Sequence, residues 1–308
     1  MFLSDALLPE RRMHVTGKSS SLWRAVPEGS GGRCRVFFKR RIVLGPDLML
    51  TLFSYVTLIG YCMYLATLVI PWWLSTVLTV LAVLILVLMV ITGSMNPGII
   101  ARADALSSES LGVHFPDRVN EAGIPYPRYL TINGVSVKQK WCKTCNLYRP
   151  PRSNHCKVCD NCVLRFDHHC AFLGCCIGIN NYRYFIILIT CITCFSSLSM
   201  GLLFTRLLTD WSVVEDWSAL LIAVGVSVAF IVLCVYHCYI TSKNLTTNEH
   251  VKRYYKTNPF DYGCINNFRH VFIKPQSLLP IEDAPRITSS YSKPPAYNSD
   301  CLSDMYDG

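Results

Sequence analysis

Eight of the sixteen cysteines of this 308-residue chain, and three of its eight histidines, fall between Cys142 and Cys176. They run Cys142-x-x-Cys145, His155-Cys156-x-x-Cys159-x-x-Cys162, Asp167-His168-His169-Cys170 and Cys175-Cys176. Paired Cys-x-x-Cys spacing lets two thiolates reach one tetrahedral zinc ion, and its recurrence marks a metal-binding region. Two four-ligand sites would use eight of these side chains and leave some sulfur or imidazole for chemistry. Sixteen cysteines would also suit the disulfide framework of a small secreted protein, but such clustering favours metal or catalysis in a reducing compartment.

In extended backbone, side chains at i and i+2 share one side and i+1 takes the other. If His169 faces a zinc, His168 and Cys170 share the opposite face. An adjacent imidazole can take the thiol proton and leave a nucleophilic thiolate. Asp167 could hold the imidazole tautomer, as the third member of a triad does. Spacing alone equally allows all four residues to be ligands or ordinary loop residues.

The elements that must hold this cluster are apolar. Hydrophobic residues make up 51% of the chain and charged residues 16%, against roughly 25% charged in an ordinary soluble domain. From Leu48 to Ala101 there is no Asp, Glu, Lys, Arg or His, a stretch far longer than the roughly 20 residues that span a bilayer. Pro71-Trp72-Trp73 is the expected hairpin, because proline interrupts a helix and tryptophan prefers the water–lipid boundary. Helices are predicted over about 48–70, 74–94, 184–205 and 217–242. The fold class is therefore an α-helical integral membrane protein, with four transmembrane helices and a loop-rich, two-zinc cysteine-rich domain between helices two and three. An Asn133-Gly134 pair between alternating segments predicts a hairpin just before the cysteines.

Lysine and arginine set the orientation. The segments 1–47, 98–183 and 243–308 carry nine, eleven and eight of them, while the connection from Arg206 to Asp216 carries one against three acids. By the positive-inside rule both termini and the cysteine-rich loop face the cytosol. The expected organisation is a cytosolic segment at 1–47, a transmembrane hairpin at 48–97, a cytosolic loop at 98–183 with its zinc domain at about 140–183, helices three and four within 184–242, and a tail at 243–308. That tail is expected to be disordered beyond about 285, where Ser, Tyr and Pro are frequent. Arg11 and Arg12 are followed by no apolar core, so no signal peptide is expected. The net charge of +9 is tied to membrane flanks, which argues against nucleic acid as a partner.

The run from Cys142 to Phe185 resembles the cysteine-rich domain of the DHHC protein S-acyltransferase (palmitoyltransferase) family. The match includes Arg149-Pro150-Pro151-Arg152, Asp167-His168-His169-Cys170, Cys176-x-Gly178 and Asn181-x-x-x-Phe185. Asn96-Pro97-Gly98 resembles the family's Asp-Pro-Gly, and Thr246-Thr247-Asn248-Glu249 its Thr-Thr-x-Glu. The resemblance implies one zinc site of Cys142, Cys145, His155 and Cys162, and another of Cys156, Cys159, His169 and Cys176. It also implies that Cys170 is the acylated nucleophile, His168 its base and Asp167 the orienting acid, with Thr247, Glu249 and Asn267 as supporting residues. Ala171 and Phe172 stand where the family has Pro-Trp, and Cys175 where it has Asn. Cys175 could replace Cys176 as a ligand or act as a second reactive thiol; the resemblance implies Cys176, whose spacing from Cys170 fits the family's pattern.

The implied activity is transfer of a long fatty acyl group from acyl-CoA, with palmitoyl-CoA the expected donor, to cysteines of client proteins on the cytosolic face of the ER, Golgi or plasma membrane. The competing reading is a catalytically weak or inactive zinc-braced adaptor. A long acyl chain loses roughly 0.8 kcal/mol per methylene drawn into water, so its site belongs in hydrocarbon beside a membrane-surface nucleophile. Arg149, Arg152 and Lys157 are expected phosphate partners for CoA, His237 an interfacial or satisfied histidine, and Phe195 a packing residue. Pro294-Pro295-Ala296-Tyr297 has the Pro-Pro-x-Tyr form that WW domains bind. Asn244-Leu245-Thr246 is a formal glycosylation sequon. On a cytosolic tail it stays unmodified, which enzymatic deglycosylation followed by mass spectrometry of the Asn244 peptide checks; a glycan there would invert the topology.

Overall fold

A continuous apolar segment in lipid must satisfy its own backbone, and a helix pairs every internal N–H and C=O within the segment. The computed structural model describes residues 32–37, 42–68, 70–102, 126, 128–209 and 214–273. The first 31 residues, the tail past 285 and the segment holding Pro294, Pro295 and Tyr297 lie outside the described residues. Among the described residues, four helices are long and apolar enough to cross a membrane: α1 (Leu48–Thr67), α2 (Trp72–Ser94), α3 (Tyr182–Thr209) and α4 (Val214–Ser242). Helix α3 packs on both α2 and α4 around Ile85, Phe185, Ile189 and Phe195. Apolar side chains such as Val80 and Val83 of α2 and Leu221 and Val232 of α4 are exposed, as hydrocarbon-facing positions are.

The hairpin differs in detail from the expected one. Helix α1 stops at Thr67, and Pro71 is the N-cap of α2, so both tryptophans sit in the first turn of α2. Proline lacks the N–H that a helix start leaves unpaired, which suits it to begin a helix as well as to break one. Helix α3 starts at Tyr182 and takes in Arg183, whose guanidinium turns back to hydrogen-bond the Tyr184 hydroxyl at 2.9 Å.

The region between α2 and α3 is a chain of small hairpins. An N-terminal pair, β1 (Arg35–Phe37) and β2 (Ile42–Leu44), precedes α1. After α2 come β3 (Ile99–Ile100), β4 (Arg128–Ile132), β5 (Val135–Gln139), β6 (Trp141–Cys142), β7 (Leu147–Tyr148), β8 (Asn154–Cys156), β9 (Asn161–Val163), β10 (His168–Cys170) and β11 (Cys175–Ile177). Strands β4 and β5 pair through Ile132↔Val135, with Asn133 and Gly134 both at positive φ, the conformation that Asn-Gly supplies in a two-residue hairpin. Strand β3 pairs with β9, which pairs with β8, so the end of α2 runs directly into the cysteine-rich layer.

Two asparagines weld that layer to the helices. Asn96 Oδ1 accepts the N–H groups of Gly98 and Ile99. Asn181 is fully buried; its amide donates to the carbonyls of Thr92 and Cys176, and its oxygen accepts from Gly178 N–H. Beyond α4, Thr246 caps α5 (Thr247–Val251) in a reciprocal capping box with Glu249. Buried Glu249 also takes a bidentate pair from Arg152 at 2.8 Å on each oxygen, and Arg152 donates twice more to Asn244. Arg152 thereby commits its guanidinium to fastening the cysteine-rich layer to the segment after α4. The Asn244 amide is in use, donating to Phe260 O at 2.7 Å. Asn267, in α6 (Cys264–Phe272), is buried and bridges Ser242 O and Asp261, so it positions the last helix. Removing one member of a buried, hydrogen-bonded ion pair costs about 3–5 kcal/mol. Glu249→Ala is expected to lower the thermal midpoint of the detergent-solubilised protein markedly, read by a thiol-independent unfolding assay, whereas Glu249→Asp loses less.

Candidate active site and paired metal centres

Three hairpins bring the eight sulfur and nitrogen ligands together. Cys142, Cys145, His155 and Cys162 form one group and Cys156, Cys159, His169 and Cys176 another, with the ligand atoms of each group within 4.8 Å of one another. The sets interleave because β8–β9 places His155 opposite Cys162 and turns Cys156 the other way. In the first group His155 Nδ1 lies 3.5, 3.5 and 3.8 Å from the sulfurs of Cys142, Cys145 and Cys162. In the second, His169 Nδ1 lies 3.6, 3.3 and 3.6 Å from Cys156, Cys159 and Cys176. Metal–sulfur and metal–nitrogen bonds of about 2.3 and 2.0 Å in a tetrahedron give edges of roughly this length. Hydrogen bonds from Cys142 push the Cys162 thiol up, and those from Cys156 push Cys159 up; crowded thiols resist becoming anions together, and a dication relieves that resistance. The donor set fits a structural metal with no open position.

Each metal-facing imidazole also has a carboxylate behind it. His169 Nε2 donates to Asp47 at 2.6 Å, and His155 Nε2 lies 3.6 Å from Asp160, which pairs with Arg102 at 2.6 Å. The sequence reading did not pick out Asp47 or Asp160. The available signal was that Asp47 is the last acid before the uncharged stretch beginning at Leu48.

Strand β10 separates metal from chemistry. It pairs with β11 through His168↔Ile177, His169↔Cys176 and Cys170↔Cys175, so His169 meets its cluster while His168 and Cys170 share the other face. Asp167, buried, has three partners: Oδ2 accepts from His168 Nδ1 at 2.8 Å and from the Thr247 hydroxyl at 2.7 Å, and Oδ1 accepts from Thr247 N–H at 2.9 Å. An ionised carboxylate only accepts, so His168 carries its proton on Nδ1 and offers Nε2 toward Cys170. Burial alone would raise the Asp167 carboxyl, but the hydrogen bond and charge of His168 and the Thr247 N–H hold it below the ordinary carboxylate value. Burial disfavours the His168 cation, yet hydrogen bonds to Asp167 and Cys170 raise the imidazole to about 9. Phe185 packs edge-on against His168 at 5.1 Å, and His237, which accepts or donates with Tyr182 at 3.2 Å, packs on the same Phe185 at 5.0 Å. His237 is thus a satisfied histidine, buried at the back of the site.

Cys175 belongs to neither metal group. Its buried sulfur points toward Thr92 O at 3.5 Å, and burial pushes the thiol well up, which disfavours a second reactive thiolate. Phe172 is largely exposed, while Phe195 is buried against Tyr61.

With that geometry in place, comparison with known proteins is decisive. A family model for the DHHC palmitoyltransferase domain matches residues 135–254. The chain carries a DHHC domain. It is 34% identical to protein S-acyltransferase 8 of Arabidopsis thaliana, over 75% of this chain and 65% of that protein. It is 33% identical to probable protein S-acyltransferase 7 of the same plant, over 79% and 64%, and 33% identical to palmitoyltransferase ZDHHC8 of Mus musculus, over 68% and 27%. The match thus spans just under two thirds of the length of these plant relatives. Across the DHHC domain, the α5 segment delivers Thr247 to Asp167 and Glu249 to Arg152 from residues some 80 and 97 positions away.

His168 can take a proton on Nε2 only after losing its own, and it holds that proton up to about 9, so the rate at which Cys170 reacts with an acyl thioester should rise with pH and level off near 9. Asp167→Asn removes the charge that raises His168; its profile should bend at lower pH and reach a plateau about 10²–10⁴-fold lower, measured with a fluorescent acyl-CoA over pH 6 to 10.

Proposed function

We propose that this chain is a protein S-acyltransferase that loads a long acyl group from acyl-CoA onto Cys170 and passes it to a client cysteine. The observation that carries this reading is the Thr247–Asp167–His168 relay ending on the one sulfur between Cys142 and Cys176 that is neither buried nor in a metal group. His168 Nε2 takes the Cys170 proton as the sulfur attacks the thioester carbonyl. The tetrahedral intermediate expels CoA as its thiolate, and His168 returns the proton to it. In the second half the client thiol gives its proton to His168 and attacks the acyl-Cys170 carbonyl, and the Cys170 thiolate leaves. One thioester replaces another, so no net oxidant or nucleotide is required.

The metals we assign as zinc, held by Cys142, Cys145, His155 and Cys162 and by Cys156, Cys159, His169 and Cys176, would supply rigidity to this arrangement. A cavity of about 530 Å³ beside α5 is lined by Lys138, Lys140, Arg149, Asn248, Lys252 and Arg253; its cationic wall adjoins Asn248, the residue next to Thr247, and suits the phosphates of CoA. Arg149 lines this cleft, which supports a phosphate contact there, whereas Lys157 is exposed and is not among the lining residues. The counts of Lys and Arg flanking the spans support a cytosolic active site, with clients that carry cytosolic cysteines near the ER, Golgi or plasma membrane. Pro294, Pro295 and Tyr297 are assigned to a WW-domain partner, which titration of a 285–308 peptide and its Tyr297→Ala variant against WW domains tests.

Incubation of purified protein with palmitoyl-CoA is expected to give a hydroxylamine-labile adduct on Cys170. Cys170→Ala abolishes the adduct and retains two zinc equivalents by elemental analysis, because Cys170 is in neither metal group. Loss of one zinc in that variant would make Cys170 a ligand.

A further inference from the structure

The described residues before α1 pack closely on the second metal group and the hairpin that carries it. Arg33 N–H donates to Cys159 O at 2.9 Å, and Gly32 lies against the Cys159 and Asp160 carbonyls with no room for a Cβ. Cys34 and Val36 pack on the cluster formed by Val43, Cys156, Cys159 and Cys176. Gly45 meets the Gly174 carbonyl so closely that a Cβ cannot fit, and Gly174 in turn abuts Thr51 and Asp47. This strap ends on Asp47, the N-cap of α1. Its side chain makes no capping bond to the helix and is committed instead to His169 Nε2 at 2.6 Å.

From this geometry we infer that Asp47 is a positioning residue for acyl transfer, acting through His169 to lock the second metal group and the strand that carries His168 and Cys170. The inference rests on the zinc and acyltransferase reading above. A neutral imidazole can present Nδ1 to a metal only if its proton stays on Nε2, and the Asp47 carboxylate holds it there. The pairing with β11 gives His169 its side of β10, and the bond to Asp47 holds it there, which keeps its neighbours on the opposite side. Asp47 also begins the first span, so the same bond ties the membrane anchor to the metal group. The first group has a separate support, Arg102–Asp160–His155, which makes the two sites separable by experiment.

The test uses the full chain in detergent and follows zinc release to a chromogenic chelator, together with acyl loading. Loss of an outer carboxylate costs about 10–100-fold in metal affinity. Asp47→Ala should therefore release one of the two zinc equivalents about 10–100-fold faster and leave the other at the wild-type rate, while Asp160→Ala accelerates the other equivalent. Asp47→Asn, whose amide oxygen can still accept the Nε2 proton, should fall between wild type and Asp47→Ala and recover part of the acyl-loading rate; it also guards against a variant that fails to fold. Wild-type release of both equivalents from Asp47→Ala would overturn the inference, even if loading fell. Acyl loading that survives Cys170→Ala would refute the acyltransferase step while the zinc-release result still judged the Asp47–His169 link. A wild-type protein without zinc would overturn both.

Discussion

The pleat of a three-residue strand is the constraint on which the rest depends. Successive side chains of β10 must point to opposite faces, and its pairing with β11 fixes which face each one takes. His169 is drawn into a sulfur cluster on one side, so His168 and Cys170 are delivered to the other without any further device. A slip of one residue would exchange the imidazoles and leave Cys170 facing the metal. The surrounding structure resists that slip from three directions: Asp167 is held by Thr247, the end of β11 by Asn181, and His169 by Asp47.

The helices matter to this strand chiefly through their ends. The strap and Asp47 come from the start of α1, Thr92 and Asn96 from the end of α2, Asn181 from just before α3, and Thr247 and Glu249 from just after α4. On the proposed reading, a site at the mouths of four helices would let an acyl tail remain among apolar side chains while a CoA headgroup stays in water. The buried Arg152–Glu249 pair spans the same boundary. Such a pair is weak evidence for net stability, since desolvating two charges is costly; what it does provide is a fixed geometry between segments far apart in sequence.

Local physics made much of this legible from residues alone. The four spans follow from the absence of charge, the β4–β5 hairpin from Asn133-Gly134, and the division of β10 from alternation. What the sequence hid were contacts made across long separations. Nothing in the neighbourhood of Asp47 announces His169, 122 positions later. Arg152, read as a surface cation for phosphate, is enclosed because Glu249 and Asn244 return from the far side of two spans. Spacing could not decide how the ligands interleave, and the direction of the Cys175 side chain is set by its packing against Thr92 and Asn181. The proline at 71 illustrates a different ambiguity, since the same ring that ends one helix is well suited to start the next.

The central claim, that adjacent histidines on one strand do different work on opposite faces, is tested most directly by comparing metal content in His168→Ala and His169→Ala. Elemental analysis of the purified proteins should give two zinc equivalents per chain for the first and one or fewer for the second, because only His169 lies in a ligand group. Equal zinc loss in both variants, or loss confined to His168→Ala, would contradict the account.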